Sequence, residues 1–322
     1  MAHGSLLSSI LVWLGVLSLI SYVIGILDAL YVYLQPSQLH RYLHPDKNGR
    51  PAWALVTGAS DGIGRAFSFE LAARGFNVVL HGRNQAKLDG VRQELLARHG
   101  PSQEFRILIA DAKDCSQETL AKITRQLADI NLTVLVNNAG GAPESKTFGT
   151  LDEYSNRQVT ETVHVNALFP TLLLGELMPM LARNAPSLAL SVGSVTDHGL
   201  PLLSFYGASK AFFWVIATSA ARENKMVQRD IEVLHLRIGL VTGVAAVQQP
   251  PTLFVPHASH LAKVALARVG CGRIVVTPYW GHLVQAESMA MLPEWVQAIF
   301  YVHALKDLQE NGMNSGLVAS KK

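Results

Sequence analysis

The chain has 322 residues, enough for one large domain or two small ones. Its 27 basic and 24 acidic residues leave a net charge of +3, and no basic run is interleaved with aromatic residues, which argues against nucleic-acid binding. The two cysteines, Cys115 and Cys271, lie far apart and in no metal-ligand spacing, so we predict reduced thiols, a reducing compartment and no metal site.

The first predicted element is an apolar helix at the N-terminus. No charged residue occurs over residues 6–27, and a stretch of that length crosses a bilayer as one helix. A secretory signal peptide is the competing interpretation, but it would need a basic start and a small-residue cleavage site, and neither is evident. Basic residues follow the segment and none precedes it, so the positive-inside rule places the rest of the chain in the cytosol. We predict a transmembrane anchor over residues 1–34 and a linker over residues 35–51.

A glycine-rich turn opens the part of the chain that follows. A short buried strand begins at Ala52 and leads into the pattern Gly-x-x-x-Gly-x-Gly and then a helical run. Glycines let the backbone approach a pyrophosphate closely, and the start of the helix supplies N–H donors and a positive dipole end. An ordinary turn of an α/β protein is the alternative, but the position directly after the first strand favours phosphate binding. The residues expected to contact a dinucleotide here are Gly58, Ser60, Asp61, Gly62, Ile63 and Gly64.

The end of the second predicted strand, 77–80, bears on the choice of nicotinamide cofactor. NAD-preferring sites place an acidic residue near this point for the ribose 2′-hydroxyl, whereas this chain has Arg83. A guanidinium group suits a 2′-phosphate, so we predict NADP(H), with a solvated loop charge as the alternative. The third strand, 105–110, ends at Asp111, which is placed to contact the adenine edge or to cap the next turn.

Strands and helices alternate along the rest of the chain. The further strands are predicted at 133–136, 187–192, 231–236 and 273–277, and the helices at 85–99, 117–130, 158–183 and 204–224. This order predicts a doubly wound parallel sheet with right-handed crossovers, a Rossmann-like α/β fold. Ligands of such folds bind at the carboxyl ends of the strands, where Asn138 and Ser194 follow two of them.

Tyr206 and Lys210 share one face of the helix that Ser204 is expected to cap. A free tyrosine has a pKa of about 10, and a nearby cation lowers it, so such a phenol can exchange a proton with a carbonyl oxygen near neutral pH. Ser194 follows a buried strand and can hold the same oxygen. A half-buried tyrosine beside a snorkelling lysine is the alternative. The glycine turn, Asn138 and Ser194 at the same sheet edge favour a catalytic pair.

The segment after the last strand, 283–308, is apolar and aromatic. It fits a substrate lid, a second membrane contact or a C-terminal helix packed on the core, and the sequence leaves these three open.

Together these residues resemble the short-chain dehydrogenase/reductase family over roughly residues 52–280. The matching motifs, in the family's order, are 57–64, 137–140, Asn166, Ser194 and 206–210. The anchor, Asp61 and the tail over 281–322 resemble a narrower group, the membrane-bound very-long-chain 3-oxoacyl-CoA reductases and their 17β-hydroxysteroid dehydrogenase relatives.

The resemblance implies that NADPH delivers a hydride to a ketone carbon while Tyr206 donates the proton. It further implies that Lys210 lowers the Tyr206 pKa and binds the nicotinamide ribose. Ser194 would position the carbonyl oxygen, and Asn166 would hold a water in the proton relay. Beyond the glycine turn, the expected cofactor contacts are Arg83, Asp111, Asn138, Tyr206, Lys210 and Val241.

Three departures from the family pattern occur. Ile238 stands in place of the proline before Gly239, Thr242 comes one place early in the motif that follows, and Ser194 lies one residue closer to Tyr206 than is common. These departures leave the lipid substrate open between a 3-oxoacyl-CoA, which the narrower group favours, and a sterol, polyketide or terpenoid ketone. A catalytically silent scaffold is a further alternative. The family and the anchor imply the endoplasmic reticulum, and they leave a homodimer open.

Overall fold

The computed structural model of this chain describes residues 2–100, 102–143, 146–245 and 247–310. Over these residues one parallel sheet has the strand order β3-β2-β1-β4-β5-β6-β7. Its strands are β1 Ala52–Thr57, β2 Asn77–Gly82, β3 Phe105–Ile109, β4 Asn131–Asn137, β5 Ser187–Val192, β6 Ile231–Leu236 and β7 Val275–Val276. The predicted doubly wound fold is therefore confirmed, and the strand order reverses between β1 and β4, where ligands of such sheets bind.

Helices cover both faces of the sheet. They are α1 Ala2–Leu34, α2 Gly62–Ala72, α3 Gln85–His99, α4 Gln117–Gln126, α5 Asn156–Val163, α6 Phe169–Arg183, α7 Ser204–Met226, α8 Ala258–Leu266, α9 Trp280–Ala290 and α10 Glu294–Glu310. One core lies between the sheet and α2, α3 and α8, and the other lies between the sheet and α4, α6 and α7. Every residue of β1 and β4 is buried, as expected for parallel strands that are covered on both faces.

Strands β5 and β6 begin and end where the sequence predicted, whereas β2 and β4 are longer than predicted, β7 is shorter, and several helix ends differ. α4 ends at Gln126 rather than at residue 130, because the chain turns over residues 127–130. The N-cap of α7 is Leu203, so the expectation that Ser204 caps this helix is wrong by one residue. The helix starts there because the amide of Gly207 already donates to the Leu203 carbonyl at 2.8 Å.

The helix predicted over 158–183 is interrupted by a π-helical turn, His164–Leu168, between α5 and α6. Pro170 has no N–H group to donate to the carbonyl of Asn166, so the ordinary α-helical bond cannot form at this point. A π turn takes up the extra residue, and such turns are frequent at functional sites. Asn166 is the central residue of this turn and is 1% exposed.

α1 is apolar, and its side chains over residues 8–28 are exposed. Ser8–Leu34 is long and apolar enough to cross a membrane, and its most apolar part is not buried against the rest of the protein. Asn156–Arg183 also passes this test of length and composition, but half of its most apolar part is buried, as in a core helix.

The C-terminal end of α1 contacts the body of the protein at several points. The Tyr33 hydroxyl donates to the Thr277 carbonyl at 2.6 Å. The Arg268 guanidinium donates to the Val32 carbonyl at 2.6 Å and lies 5.0 Å from the centroid of the Tyr33 ring. α1 therefore leaves the body beside β7, at one edge of the sheet.

The segment over 35–51 packs along the amino ends of the strands, on the edge opposite to the ligand cleft. Tyr42 is 1% exposed, and its hydroxyl donates to the carboxylate of Glu232 in β6. Arg41 and Asp230 form an exposed ion pair with a separation of 2.6 Å. The segment between α1 and β1 is thus held against the sheet by both apolar and polar contacts.

α9 and α10 follow β7 and return over the carboxyl side of the sheet. Leu305 of α10 is 6% exposed and forms a buried cluster with Phe148 and Leu203. The hydroxyl of Tyr301 lies 3.2 Å from Nε2 of His198. α10 therefore covers the loops beside Tyr206, and residues 311–322 of the predicted tail lie outside the described residues.

Candidate active site

A cleft of about 710 Å³ runs along the carboxyl ends of the strands. The glycine turn after β1, the loop after β4 and the first turn of α7 line it. Of the residues singled out from the sequence, those that line the cleft are Gly58, Ser60, Asp61, Gly62, Ile63, Arg83, Asp111, Asn138, Tyr206 and Lys210. Among the described residues, no three or more His, Cys, Asp or Glu side chains are grouped as metal ligands would be.

The glycine turn is packed so closely that side chains do not fit. A Cβ on Gly64 would lie 2.1 Å from the Gly58 carbonyl oxygen, and Gly62 has a φ of +54°, which favours glycine. The Asp61 side chain accepts a hydrogen bond from the Gly62 amide at 2.7 Å and caps α2. This narrow backbone cradle fits the pyrophosphate of a dinucleotide.

Two hydrogen-bonded residues join the turn after β1 to the loop after β4. The Asn138 side chain donates to the Thr57 carbonyl at 2.9 Å. The Thr57 hydroxyl in turn accepts hydrogen bonds from the amides of Asn138 and Ala139, both at 2.9 Å. Asn138 and Thr57 therefore hold the two loops together.

Two cations lie at the far end of the cleft, beyond β2. Arg83 lines the cleft as predicted, and Lys87 of α3 lines it as well, with its ammonium 4.0 Å from Asp61. Lys87 was not predicted from the sequence, although its place one turn after Arg83 on the next helix could have indicated it. His81 lies beneath this end, and burial lowers its pKa to about 4, so it is neutral at physiological pH.

Lys210 is buried, with its ammonium directed at the end of β5. Its Nζ donates to the Val192 carbonyl at 3.1 Å and lies 6.0 Å from the centroid of the Tyr206 ring. Burial lowers the pKa of Lys210 to about 8. A Cβ on Gly140 would lie 3.0 Å from this ammonium, so the glycine lets the backbone pass close to Lys210.

Tyr206 lines the cleft and hydrogen-bonds to the side chain of Ser194, which does not itself line it. Burial raises the pKa of Tyr206, and a hydrogen bond with the Ser194 side chain acts in the opposite direction. The sequence led us to expect a lowered pKa, but in this structure burial outweighs the favourable contacts. A phenol that keeps its proton at neutral pH is suited to donate it.

The Ser194 hydroxyl is oriented by Thr196. Its Oγ accepts hydrogen bonds from the Thr196 amide at 3.2 Å and from the Thr196 hydroxyl at 3.0 Å. With its lone pairs occupied in this way, the Ser194 proton is free to point towards Tyr206 or a substrate oxygen. Thr196 was missed from the sequence, and the pattern Ser-x-Thr was the signal available.

The position before Ser194 has no room for a side chain. A Cβ on Gly193 would lie 2.2 Å from Nε2 of His235, a buried residue of β6. Burial lowers the pKa of His235 to about 3, with Lys210 and Arg237 acting in the same direction, so the ring is neutral. His235 therefore explains why the hydroxyl stands at residue 194, one place nearer to Tyr206 than is common.

Asn166 clamps the loop after β4. Its Oδ1 accepts from the Gly141 amide at 2.8 Å, and its Nδ2 donates to the Gly141 carbonyl at 2.9 Å. Gly140 is held between this amide and Lys210, because a Cβ there would lie 2.6 Å from the Asn166 Oδ1. The role of Asn166 in holding a water stays a prediction. In the structure its side chain fixes the loop after β4 through two hydrogen bonds to Gly141.

The loop after β6 contains two of the three departures from the family pattern, those at Ile238 and Thr242. His282 of α9 accepts from the Gly239 amide at 3.1 Å and contacts the Leu240 carbonyl at 3.0 Å, which ties α9 to this loop. The Thr242 hydroxyl donates to the Gln249 carbonyl within the loop itself. Val241 is buried in the core and does not line the cleft, so its cofactor contact stays a prediction. The residues of this loop that line the cleft are Ile238, Val244 and Ala245.

A buried ion pair fixes the loop that follows Ser194. The guanidinium of Arg237 donates to both carboxylate oxygens of Asp197, at 2.7 and 2.6 Å. The Asp197 side chain is only 1% exposed. This two-point contact joins the loop after β5 to the end of β6.

The chain matches known proteins over most of its length. The family described as short chain dehydrogenase matches residues 52–251. A Caenorhabditis elegans protein named as a very-long-chain 3-oxoacyl-CoA reductase is 30% identical over 274 residues, which cover 83% of this chain and 82% of that protein. An Arabidopsis thaliana protein named as very-long-chain 3-oxoacyl-CoA reductase-like is 32% identical over 273 residues, 81% of each chain.

Other matches carry different names. A C. elegans protein named as a steroid dehydrogenase is 31% identical over 271 residues, 82% of this chain and 81% of that protein. Among solved structures, an alcohol dehydrogenase of Thermococcus sibiricus complexed with 5-hydroxy-NADP is 25% identical, with a TM-score of 0.59 over 70% of this chain and 94% of that chain. A 7β-hydroxysteroid dehydrogenase has a TM-score of 0.69 over 80% of this chain and 99% of that chain, but at 18% identity it shares the fold only.

Proposed function

Because this chain belongs to the short-chain dehydrogenase family of NAD(P)-dependent dehydrogenases and reductases, we propose that it uses NADPH to reduce the ketone of a 3-oxoacyl-CoA. The main observation behind the proposal is the arrangement of three side chains. Tyr206 hydrogen-bonds to Ser194 and lies beside Lys210 in the cleft. When bound, NADPH supplies a hydride to the carbonyl carbon of the substrate.

The chain's own residues handle the oxygen of that carbonyl. Ser194 donates a hydrogen bond to it, and Thr196 keeps the Ser194 hydroxyl in the required orientation. Tyr206 then gives its phenol proton to the oxygen as negative charge develops there. The Lys210 ammonium lies beside the resulting phenolate and stabilises it, because opposite charges attract strongly in a site that excludes water.

The preference for NADPH rests on two cations and a missing acid at the end of β2. Arg83 and Lys87 line this end of the cleft, where a 2′-phosphate would lie. Replacing Arg83 with Ala should weaken NADPH binding about tenfold or more and leave NADH binding almost unchanged. Titration of protein fluorescence with each nucleotide tests this, and equal losses for both would argue against a 2′-phosphate site.

The lipid nature of the substrate is supported by the apolar helix α1 and by the names of the relatives. The names of the relatives favour a 3-oxoacyl-CoA. A steroid ketone is the second candidate, which the match to a protein named as a steroid dehydrogenase favours.

α1 would hold the enzyme in the membrane in which such lipids are dissolved. Its 27-residue apolar stretch, Ser8–Leu34, is long enough to span a bilayer. The basic residues after it favour a cytosolic catalytic domain. We infer the endoplasmic reticulum as the site, by analogy with the narrower family group.

The deciding experiment is NADPH oxidation by the full-length protein in detergent, with a chain-length series of 3-oxoacyl-CoAs beside a panel of ketosteroids. We expect turnover that rises with acyl length and that falls at least a thousandfold in Tyr206→Phe, because the proton donor is lost. Turnover of ketosteroids alone would replace the first candidate with the second. NADPH binding without turnover on either panel would contradict both.

A further inference from the structure

The outer side of α9 and α10 is apolar and exposed. Its residues, which we call the C-terminal apolar face, are Trp280, Val284, Met291, Trp295, Ile299 and Val302. Trp295 is 68% exposed, and Ile299 is 53% exposed. From Trp295 to Leu305 the helix contains no Asp, Glu, Lys or Arg. Contiguous apolar surface of this kind marks a contact site when it occurs on a folded protein.

This face is not the side of α10 that packs on the protein. Tyr301, Leu305 and Leu308 point inwards to the cluster beside Tyr206. Trp295, Ile299 and Val302 occupy the opposite side, as the helical spacing of about 3.6 residues per turn requires. α10 is covered by protein on the side that carries Leu305, whereas the side that carries Trp295 and Ile299 is exposed.

The C-terminal apolar face begins next to the place where α1 leaves the body. The Tyr33 hydroxyl of α1 donates to the Thr277 carbonyl at 2.6 Å. Trp280, the first residue of α9, comes three residues after Thr277, so the Cα atoms of these two residues are at most about 11 Å apart. An ion pair between Asp28 and Arg273 adds a second contact at the same place. The bilayer that α1 enters therefore lies within reach of this face.

We propose that the C-terminal apolar face lies in the interfacial layer of the same bilayer that α1 crosses. The inference rests on the proposed role of α1 as an anchor. Trp280 and Trp295 have the amphipathic rings that settle at the level of the lipid headgroups. Lys306, on the outer side one turn beyond Val302, can extend its ammonium to lipid phosphates while its stem stays in apolar surroundings.

The test attaches an environment-sensitive fluorophore to one introduced cysteine at a time in the full-length chain, which retains its two native cysteines. Each labelled protein is reconstituted in phosphatidylcholine vesicles that contain spin-labelled lipid. Trp295→Cys reports on the proposed contact. Leu96→Cys is the matched control, because Leu96 is an exposed apolar residue of α3, which packs on β2 and β3 at the opposite edge of the sheet. Leu17→Cys in α1 reports separately on the anchor. The unsubstituted chain measures background labelling at Cys115 and Cys271.

We expect lipid quenching at residue 295 to be at least threefold stronger than at residue 96, and stronger with the spin label near the headgroup than with one deep in the acyl chains. Equal quenching at 295 and 96 overturns the proposal. So does a blue-shifted fluorophore at 295 that lipid does not quench, because protein would then cover the face. Quenching at residue 17 without quenching at 295 leaves the anchor standing and refutes only this inference. NADPH binding by each labelled variant verifies that it is folded.

Discussion

Ser194 and Thr196 form a pair of hydroxyls in which only one is expected to touch the substrate. Thr196 donates to Ser194 from both its amide and its side chain, and the side-chain bond is 3.0 Å long. The function of Thr196 is therefore to decide where the Ser194 proton points. This makes it a positioning residue, whose loss should affect turnover more than binding.

We predict that Thr196→Val lowers kcat about threefold to tenfold, the effect of one lost hydrogen bond. Thr196→Ser keeps the hydroxyl and should retain most of the activity. The Kd for NADPH should not change in either variant, since Thr196 does not line the cleft. Steady-state kinetics with titrations of NADPH separate these quantities, and an equal loss in both variants would contradict the positioning role.

Lys210 makes stability depend on pH. Its pKa is 10.5 when unperturbed and about 8 in the folded protein. Between these values the unfolded chain binds more protons than the folded chain, so the Lys210 contribution to stability becomes more favourable as pH rises from about 8 to about 10.5. Below pH 8 burial of the charged ammonium destabilises the fold by on the order of 3 kcal/mol.

We therefore predict that Lys210→Met, without cofactor, raises the free energy of unfolding at pH 7.5 and that this gain shrinks towards pH 10. Denaturant unfolding at both pH values measures the difference. A gain that is the same at both values would show that Lys210 does not change its protonation in this range.

At the residue scale, sequence reasoning found the candidate catalytic residues and missed the residues that position them. Tyr206, Lys210 and Ser194 follow short local patterns, so they could be recognised without a structure. Thr196, Lys87 and His282 act through contacts that depend on the folded chain. His235 determines why the hydroxyl stands at residue 194, and nothing in the sequence around Ser194 indicates a ring from β6.

At the scale of elements, a short interruption of a long helix positions one residue of the candidate site, Asn166. The π turn between α5 and α6 exists because Pro170 removes one helical hydrogen bond, and it brings Asn166 against Gly141. A hydrophobic pattern with the helical period predicts one long helix here. The period does not reveal that the Asn166 carbonyl lacks an N–H donor at Pro170. The strand boundaries were easier to predict, because fully buried parallel strands appear as short continuous apolar runs.

The segment over 35–51 contributes to the stability of the sheet to which it is attached. Tyr42 is 1% exposed, whereas Arg41 forms an ion pair at an exposed position. We predict that Tyr42→Ala lowers the free energy of unfolding by about 3 kcal/mol, because a large buried ring is lost. Arg41→Ala should cost less than about 1 kcal/mol. Thermal unfolding in detergent compares the two, and equal shifts would mean that the segment is not packed as described.

At the scale of the whole molecule, the two edges of the sheet have different tasks. The carboxyl ends of the strands carry the cleft, the candidate catalytic side chains and the cover formed by α10. The amino ends hold the segment that leads from α1. The fold class and the place of the cleft could be predicted from the order of strands and motifs, whereas the packing of residues 35–51 on the amino ends could not. The packing of α10 beside Tyr206 could not be predicted, because the apolar composition of a segment does not indicate which surface it packs on.

The contacts that the end of α1 makes with Thr277 and Arg268 would have a kinetic consequence in the proposed enzyme. If α1 crosses a bilayer, these contacts would keep the cleft at a constant height above the lipids in which the proposed substrate is dissolved. Enzyme and substrate would then meet by lateral diffusion in two dimensions. The rate would depend on the mole fraction of substrate among the lipids, not on its concentration in the total volume. Adding inert phospholipid at constant total substrate should slow turnover of a long-chain ketone in proportion to the dilution, while a water-soluble short-chain ketone should be reduced at an unchanged rate.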